Sequence, residues 1–202
     1  MTSDRATLRL HRPDVNELLF FLLSGAIMSV PLTLFVDQLA SLLITGLSAF
    51  YAALVSVAFL APVIEEFSKV YPLFYRHGET QRSIMRLAVC VGLGFGIVEF
   101  FLYVFGLGAN PLERLVGLLF HPASTTISAY GIAVKKPLPY YLVAAGLHFA
   151  NNFLAVVAPY ATLSSLVVVL ATVLISQQLY RTTKERFIDE PGICTPVPTD
   201  SR

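Results

Sequence analysis

Apolar runs long enough to cross a bilayer follow one another along this chain and leave few folds open to it. They lie near Leu18–Val36, Leu39–Tyr75, Ile84–Leu107, Leu115–Val134, Leu138–Ala158 and Leu163–Tyr180. Inside hydrocarbon every backbone polar group needs an internal partner, so such runs must be helices, about 20 residues per crossing. Hydrophobic residues make up 55% of the chain and charged residues 13%, against about 25% charged in an average soluble domain. That balance excludes a soluble globular domain, a disordered chain and a nucleic-acid binder. The net charge of +1 implies no acidic partner. Cys90 and Cys194 are too few for a disulfide scaffold or a four-cysteine metal site. The expected fold class is all-α, a polytopic transmembrane helical bundle. One membrane domain over residues 1–181 is followed by a flexible cytoplasmic tail over 182–202 that contains Pro191, Pro196 and Pro198. The first run has no small-residue cleavage site after a short apolar core, so it reads as a span and not as a signal peptide.

The second run is too long for one crossing. About 37 helical residues would measure roughly 55 Å, against a core of about 30 Å. Either one tilted helix is kinked near Pro62, or the run divides there into two spans. Basic residues favour the first option. With six spans, Arg5/Arg9/Arg12, Arg76/Arg82/Arg86, Lys135/Lys136 and Arg181/Lys184/Arg186/Arg202 share one side, which leaves only Lys69 and Arg114 over. The positive-inside rule then puts both termini in the cytoplasm. Seven spans would move the amino-terminal cluster to the other side.

Ionisable groups within spans are costly and are usually functional. Here they are Glu65, Glu66 and Lys69 in the second run, Glu99 in the third, His121 in the fourth and His148 in the fifth, with Asn152 one turn beyond. Counted from the nearest cytoplasmic basic residue at about 1.5 Å per residue, Glu65, Glu99, His121 and His148 fall at similar depths, roughly 15–21 Å, with Asn152 near 24 Å. Four spans thus carry polar groups to one level, and a buried cluster between helices is the economical reading. Glu65 and Lys69 are spaced i,i+4 and can pair. Gly92, Gly94 and Gly96 allow close helix approach just before Glu99. Carboxylate, imidazole and amide without a serine or cysteine nucleophile suggest hydrolysis by activated water, with Asn152 as an oxyanion donor. The same Glu/His set can hold zinc.

Each feature also has a plainer explanation. Glu65–Lys69 can be a structural ion pair and Glu99 a helix–helix hydrogen bond. His121 can mark a kink at Pro122, and His148 with Asn152 can be polar glue between helices. At the level of the whole chain, the rivals to a hydrolase are a midplane proton or ion transporter and an inactive membrane scaffold.

Glu65-Glu66-x-x-Lys69 resembles the EExxK motif of PrsW-type intramembrane proteases. Phe95-x-x-x-Glu99 resembles their second motif, His121 their isolated histidine, and His148-x-x-x-Asn152 their last motif. That group is placed within the CAAX-protease and bacteriocin-processing superfamily. The resemblance implies an intramembrane endopeptidase in the plasma (inner) membrane of a prokaryote, with a site recessed from the cytoplasmic side. Its substrates would be transmembrane or lipidated proteins held in membrane lipid. Glu65 or Glu66 would activate water, and Glu99 and His121 would complete the base or ligand set. His148 and Asn152 would stabilise the oxyanion. In the metalloprotease view Glu66, Glu99, His121 and His148 would bind the metal, zinc by expectation; in the glutamate-protease view there is none.

Overall fold

A computed structural model describes residues 12–75, 80–158, 162–185 and 188. Among these residues the chain is helical, with no strand ladder. Six rods succeed one another: α1 (Val15–Ser41), α2 (Ala49–Phe74), α3 (Gln81–Gly106), α4 (Pro111–Ala133), α5 (Pro137–Val157) and α6 (Thr162–Thr182). Short connections make neighbours alternate in direction. The described basic residues Arg12, Arg82, Arg86, Lys135, Lys136, Arg181 and Lys184 then share one end of the bundle, called here the basic end. Arg5, Arg9, Arg76, Arg186, Arg202 and Cys194 lie outside the described residues.

Five of the six helices are both long enough and apolar enough to cross a membrane. The stretch expected as the fourth of six spans forms the 23-residue helix α4, which is not among these five. It falls short in apolarity because Ser124, Thr125, Thr126, Ser128 and His121 are all buried along it. Their hydroxyls are largely spent on the helix itself. Thr125 donates to the His121 carbonyl at 2.8 Å and Thr126 to the Pro122 carbonyl at 2.6 Å. The helix runs unbroken past Pro122. A polar helix survives at membrane depth when its neighbours, and not lipid, surround it. Exposed apolar side chains include Phe20, Ile27, Phe35, Phe59, Phe105, Leu142 and Leu174 on the other helices, and Leu112, Leu115 and Leu119 on the first turns of α4.

The long second run resolves differently from the expectation. The break is not at Pro62. It lies between α1 and α2, where a short 3-10 turn over Leu42–Ile44 ends and Gly46 takes φ +89°. Ser48 is extended before α2 begins. A non-glycine residue is strained at Gly46's φ. Residues 39–41 therefore belong to α1, and the six-rod count holds without a second division. At Pro62 the chain stays helical because residues Leu54–Leu60 widen to π geometry just before it. Proline has no N–H to give, and the wider turn makes room for its ring.

The helices approach most closely at glycines. A Cβ on Gly25 would overlap the Val91 carbonyl, and one on Gly94 would overlap the Leu22 carbonyl. α1 and α3 thus cross backbone on backbone. Towards the basic end lies an apolar core of Phe21, Val70, Leu73, Ile84, Met85, Leu87 and Val91. The start of the expected loose tail is in fact docked. Arg82 donates to the Thr183 carbonyl at 2.8 Å, Thr80 to Glu185 at 3.2 Å, and Ile188 packs on the core.

Overpacking a close crossing costs about 1–3 kcal/mol. Gly94→Ala should therefore lower the melting temperature in detergent micelles by several degrees. Gly146→Ala, where an added Cβ meets nothing within 4 Å, should leave it unchanged or raise it.

Candidate active site

α2 carries three of the site's charged groups on two adjoining turns. Glu66 and Lys69 are completely buried, and Glu65 is nearly so. The expected Glu65–Lys69 pair does not form. Lys69 Nζ instead donates to Glu66 Oε1 at 2.6 Å, with i,i+3 spacing. It also reaches His121 Nδ1 at 3.0 Å and Ser124 Oγ at 3.3 Å on α4. Phe95 of α3 lies under the ammonium, its ring centroid 5.1 Å away. Three ammonium protons thus meet three partners.

Glu66 Oε1 is the acceptor on which three helices converge. Besides Lys69 it takes a hydrogen bond from Ser124 Oγ at 3.0 Å and one from His148 Nδ1 of α5 at 2.8 Å. The other nitrogen of that ring, His148 Nε2, stands 3.7 Å from Glu65 Oε2. His121 Nε2 contacts Glu99 Oε2 of α3. The two imidazoles lie 5.6 Å apart, centroid to centroid, wedged by Phe120 and Phe95. Glu65, Glu66, Glu99, His121 and His148, drawn from four helices, therefore do come together.

Asn152 stands at the edge of this group. Its Nδ2 donates to the Val57 carbonyl at 3.0 Å. In the π segment Ala61 N–H bonds to the carbonyl of Ser56. The next bond in that register would run from residue 62 to Val57, and Pro62 has no N–H. Asn152 supplies the missing donor and so ties α5 to α2.

Two cavities meet at the cluster. One, of about 170 Å³, is bordered by Glu99, His121, His148, Asn151, Arg114 and Ser165. The other, of about 470 Å³, is bordered by Asp37, Ser41, Glu65, Glu99, Tyr103 and Arg114. Ser41 ends α1, Arg114 is in the first turn of α4 and Ser165 is near the start of α6. The cavities thus lie toward the end of the bundle opposite the basic residues. Below the cluster, the apolar core closes the basic end.

The donor set suits a metal ion. Glu65, Glu99 and His121 each offer a ligand atom within 4.8 Å of the others. Among the described residues, the buried atoms Glu65 Oε2 and Glu66 Oε2 have no hydrogen-bond partner, and such orphans call for a water, a proton or a cation. The charges agree. With Glu65, Glu66 and Glu99 all ionised against one Lys69, two negative charges would be unbalanced in a buried site, and one divalent cation would offset them.

Residues 14–176 match the model of the PrsW family intramembrane metalloproteases. The chain belongs to the PrsW family. No curated protein and no solved structure matches it. Membership carries the coarse activity, intramembrane proteolysis, and a multi-pass membrane location. Lys69 and Ser124 are the site-forming residues that the sequence reading did not include in the site. The run Ser124-Thr125-Thr126 on an otherwise apolar span was the available signal for the second.

Leaving one member of a buried ion pair unpartnered costs about 3–5 kcal/mol. Lys69→Met should destabilise the protein by that order in chemical unfolding in mixed micelles. Adding Glu66→Gln, which removes the stranded charge, should recover part of the loss.

Proposed function

We propose that this PrsW-family protein is an endopeptidase that hydrolyses transmembrane or membrane-anchored protein substrates with water activated at Glu65 and Glu99. The observation that carries this reading is the pair of carboxylates from α2 and α3 facing one polar cavity at membrane depth, with both histidines beside them. Water reaches the carboxylates through the cavities. Glu65 or Glu99 accepts the proton of the attacking water and delivers it to the departing amine. A ring N–H of His121 lies against Glu99 and is placed to donate to developing negative charge. Glu66 and Lys69 are locked to each other and to the rings, so they orient and do not react.

Glu65, Glu99 and one of the two histidines are the residues that would hold a metal, with zinc as the working choice for an O,O,N set. When bound it would supply Lewis-acid polarisation of the scissile carbonyl and acidify water. Asn152 remains available as an oxyanion donor through its second amide proton, the first being spent on Val57.

Substrate enters from the end opposite the basic residues. Under the positive-inside rule that is the extracytoplasmic side of a plasma (inner) membrane, with both termini cytoplasmic. The closed apolar core beneath the site favours hydrolysis over ion transport, which needs a continuous polar path.

The test is cleavage of a transmembrane-anchored reporter in proteoliposomes, with products read by mass spectrometry. Glu65→Gln, Glu99→Gln and His148→Ala should each lower turnover by about 10²–10⁴ while the protein still folds and inserts. Full turnover in Glu65→Gln and Glu99→Gln would sink the mechanism. In the same preparations, about one metal ion per chain, lost in Glu65→Gln, is the expected content.

A further inference from the structure

We propose that Lys69 is a positioning residue that holds the two site histidines in opposite tautomers, so that His121 presents an N–H and His148 presents the lone pair. What each neighbour can donate or accept sets the tautomers. Lys69 is buried against the Glu66 carboxylate at 2.6 Å. As an ammonium it has three protons and no acceptor. Its 3.0 Å contact with His121 Nδ1 therefore requires the lone pair on Nδ1. In the neutral ring the proton then sits on Nε2, where it donates to Glu99 Oε2.

His148 faces the opposite demand. Its Nδ1 lies 2.8 Å from Glu66 Oε1, which as a carboxylate oxygen only accepts, so the proton sits on Nδ1. Its Nε2 is 3.7 Å from Glu65 Oε2, beyond hydrogen-bond length, and that oxygen has no hydrogen-bond partner among the described residues. The His148 Nε2 lone pair thus faces an unpartnered carboxyl oxygen across a gap that suits an electrophile between them. A histidine that ligates a metal usually gives its other N–H to a carboxylate. His148 does so through Glu66. His121 has a cation at that place.

The consequence deepens the proposed function. His121 has a ring nitrogen within reach of Glu65 and Glu99, but its Nε2 carries the proton given to Glu99, so the imidazole ligand, if a metal binds, is His148 and His121 is the hydrogen-bond donor. The one i,i+3 pair of the α2 turn, Lys69 with Glu66, sets this division. Lys69 and Glu66 polarise the two rings in opposite senses from a single helical step. The assignment of the rings rests only on their neighbours, whereas its use in hydrolysis rests on the reading above.

The experiment is nitrogen NMR of protein labelled with ¹⁵N at histidine, in nanodiscs. The chain has four histidines, so His121→Gln and His148→Gln spectra assign the site rings. The expected result is a pyrrole-type Nε2 with a pyridine-type Nδ1 for His121, and the reverse for His148. Lys69→Met should release His121 into a mixed or reversed tautomer and leave His148 unchanged. Nδ1–H on His121 in the wild type, or no change of His121 in a folded Lys69→Met protein, would overturn the proposal. If Lys69→Met does not fold, the wild-type spectrum still decides the tautomers. A parallel zinc titration separates the two layers. His121→Gln should retain stoichiometric zinc, and His148→Gln should weaken it at least tenfold. Equal loss in both overturns the ligand assignment. Absence of zinc binding by the wild type removes the metal reading of the activity while the NMR result stands.

Discussion

The whole bundle is arranged around one buried ammonium. Lys69 has no exposed surface, and a charge at that depth survives only with matched partners. Those partners fix three helices at once. Glu66 comes from the same helix, His121 and Ser124 come from α4, and Glu66 in turn holds His148 of α5. α3 contributes the Phe95 face below the ammonium and the Glu99 carboxylate against His121. Between transmembrane helices the hydrophobic effect gives little preference for one register over another, because lipid tails are as apolar as leucine. A charged hydrogen-bond network at one level does discriminate registers: a one-residue shift of α4 or α5 would strand a buried charge.

Backbone defects are handled by the same economy. Pro62 is reached through a π-widened stretch, and the carbonyl it leaves at Val57 is taken by the Asn152 side chain. Pro31 likewise follows a π-widened turn over Gly25–Ser29. Ser29 then donates to the Ser68 carbonyl, which joins α1 to the site helix. Residues that resemble catalytic ones by motif can therefore also serve as backbone partners, and Asn152 has capacity for both.

Much of this was legible in the sequence. Equal depth along separate spans was enough to bring Glu65, Glu99, His121 and His148 together, because depth is set by the bilayer and by 1.5 Å per residue. Rotation about each helix axis was not legible at that precision. Glu65 and Glu66 are 100° apart, and i,i+3 and i,i+4 spacings are both contacts. The Lys69 partner was therefore read as Glu65, whereas tertiary partners on α4 draw the ammonium to Glu66. The helix break at residues 42–48 was masked by the apolar neighbours Leu42, Leu43, Ile44 and Leu47. Its local signal, Thr45-Gly46 followed by Ser48, is ordinary turn chemistry that long hydropathy windows average away. The mouth of the cavities was also beyond the sequence, since it depends on which helix ends splay apart.

Hydrolysis at membrane depth needs water on one side of the site and its exclusion on the other. Arg114, on the first turn of α4, borders both cavities, and its guanidinium lies 3.7 Å from the Tyr103 ring centroid. Among the described residues Asp37 is the other charged group on the wider mouth besides the site carboxylates. One end of the bundle is thus polar down to Glu65 and Glu99. One helical turn beyond Glu66, Val70 and then Leu73 are sealed against Phe21, Ile84 and Met85. The change from polar to apolar falls within α2 itself, between Lys69 and Val70. A single helix therefore carries the water-facing carboxylate, the charge that holds the histidines, and the first residues of the seal. Moving its register would disturb all three together, which explains why the structure ties α2 to α1, α4 and α5 by separate hydrogen bonds.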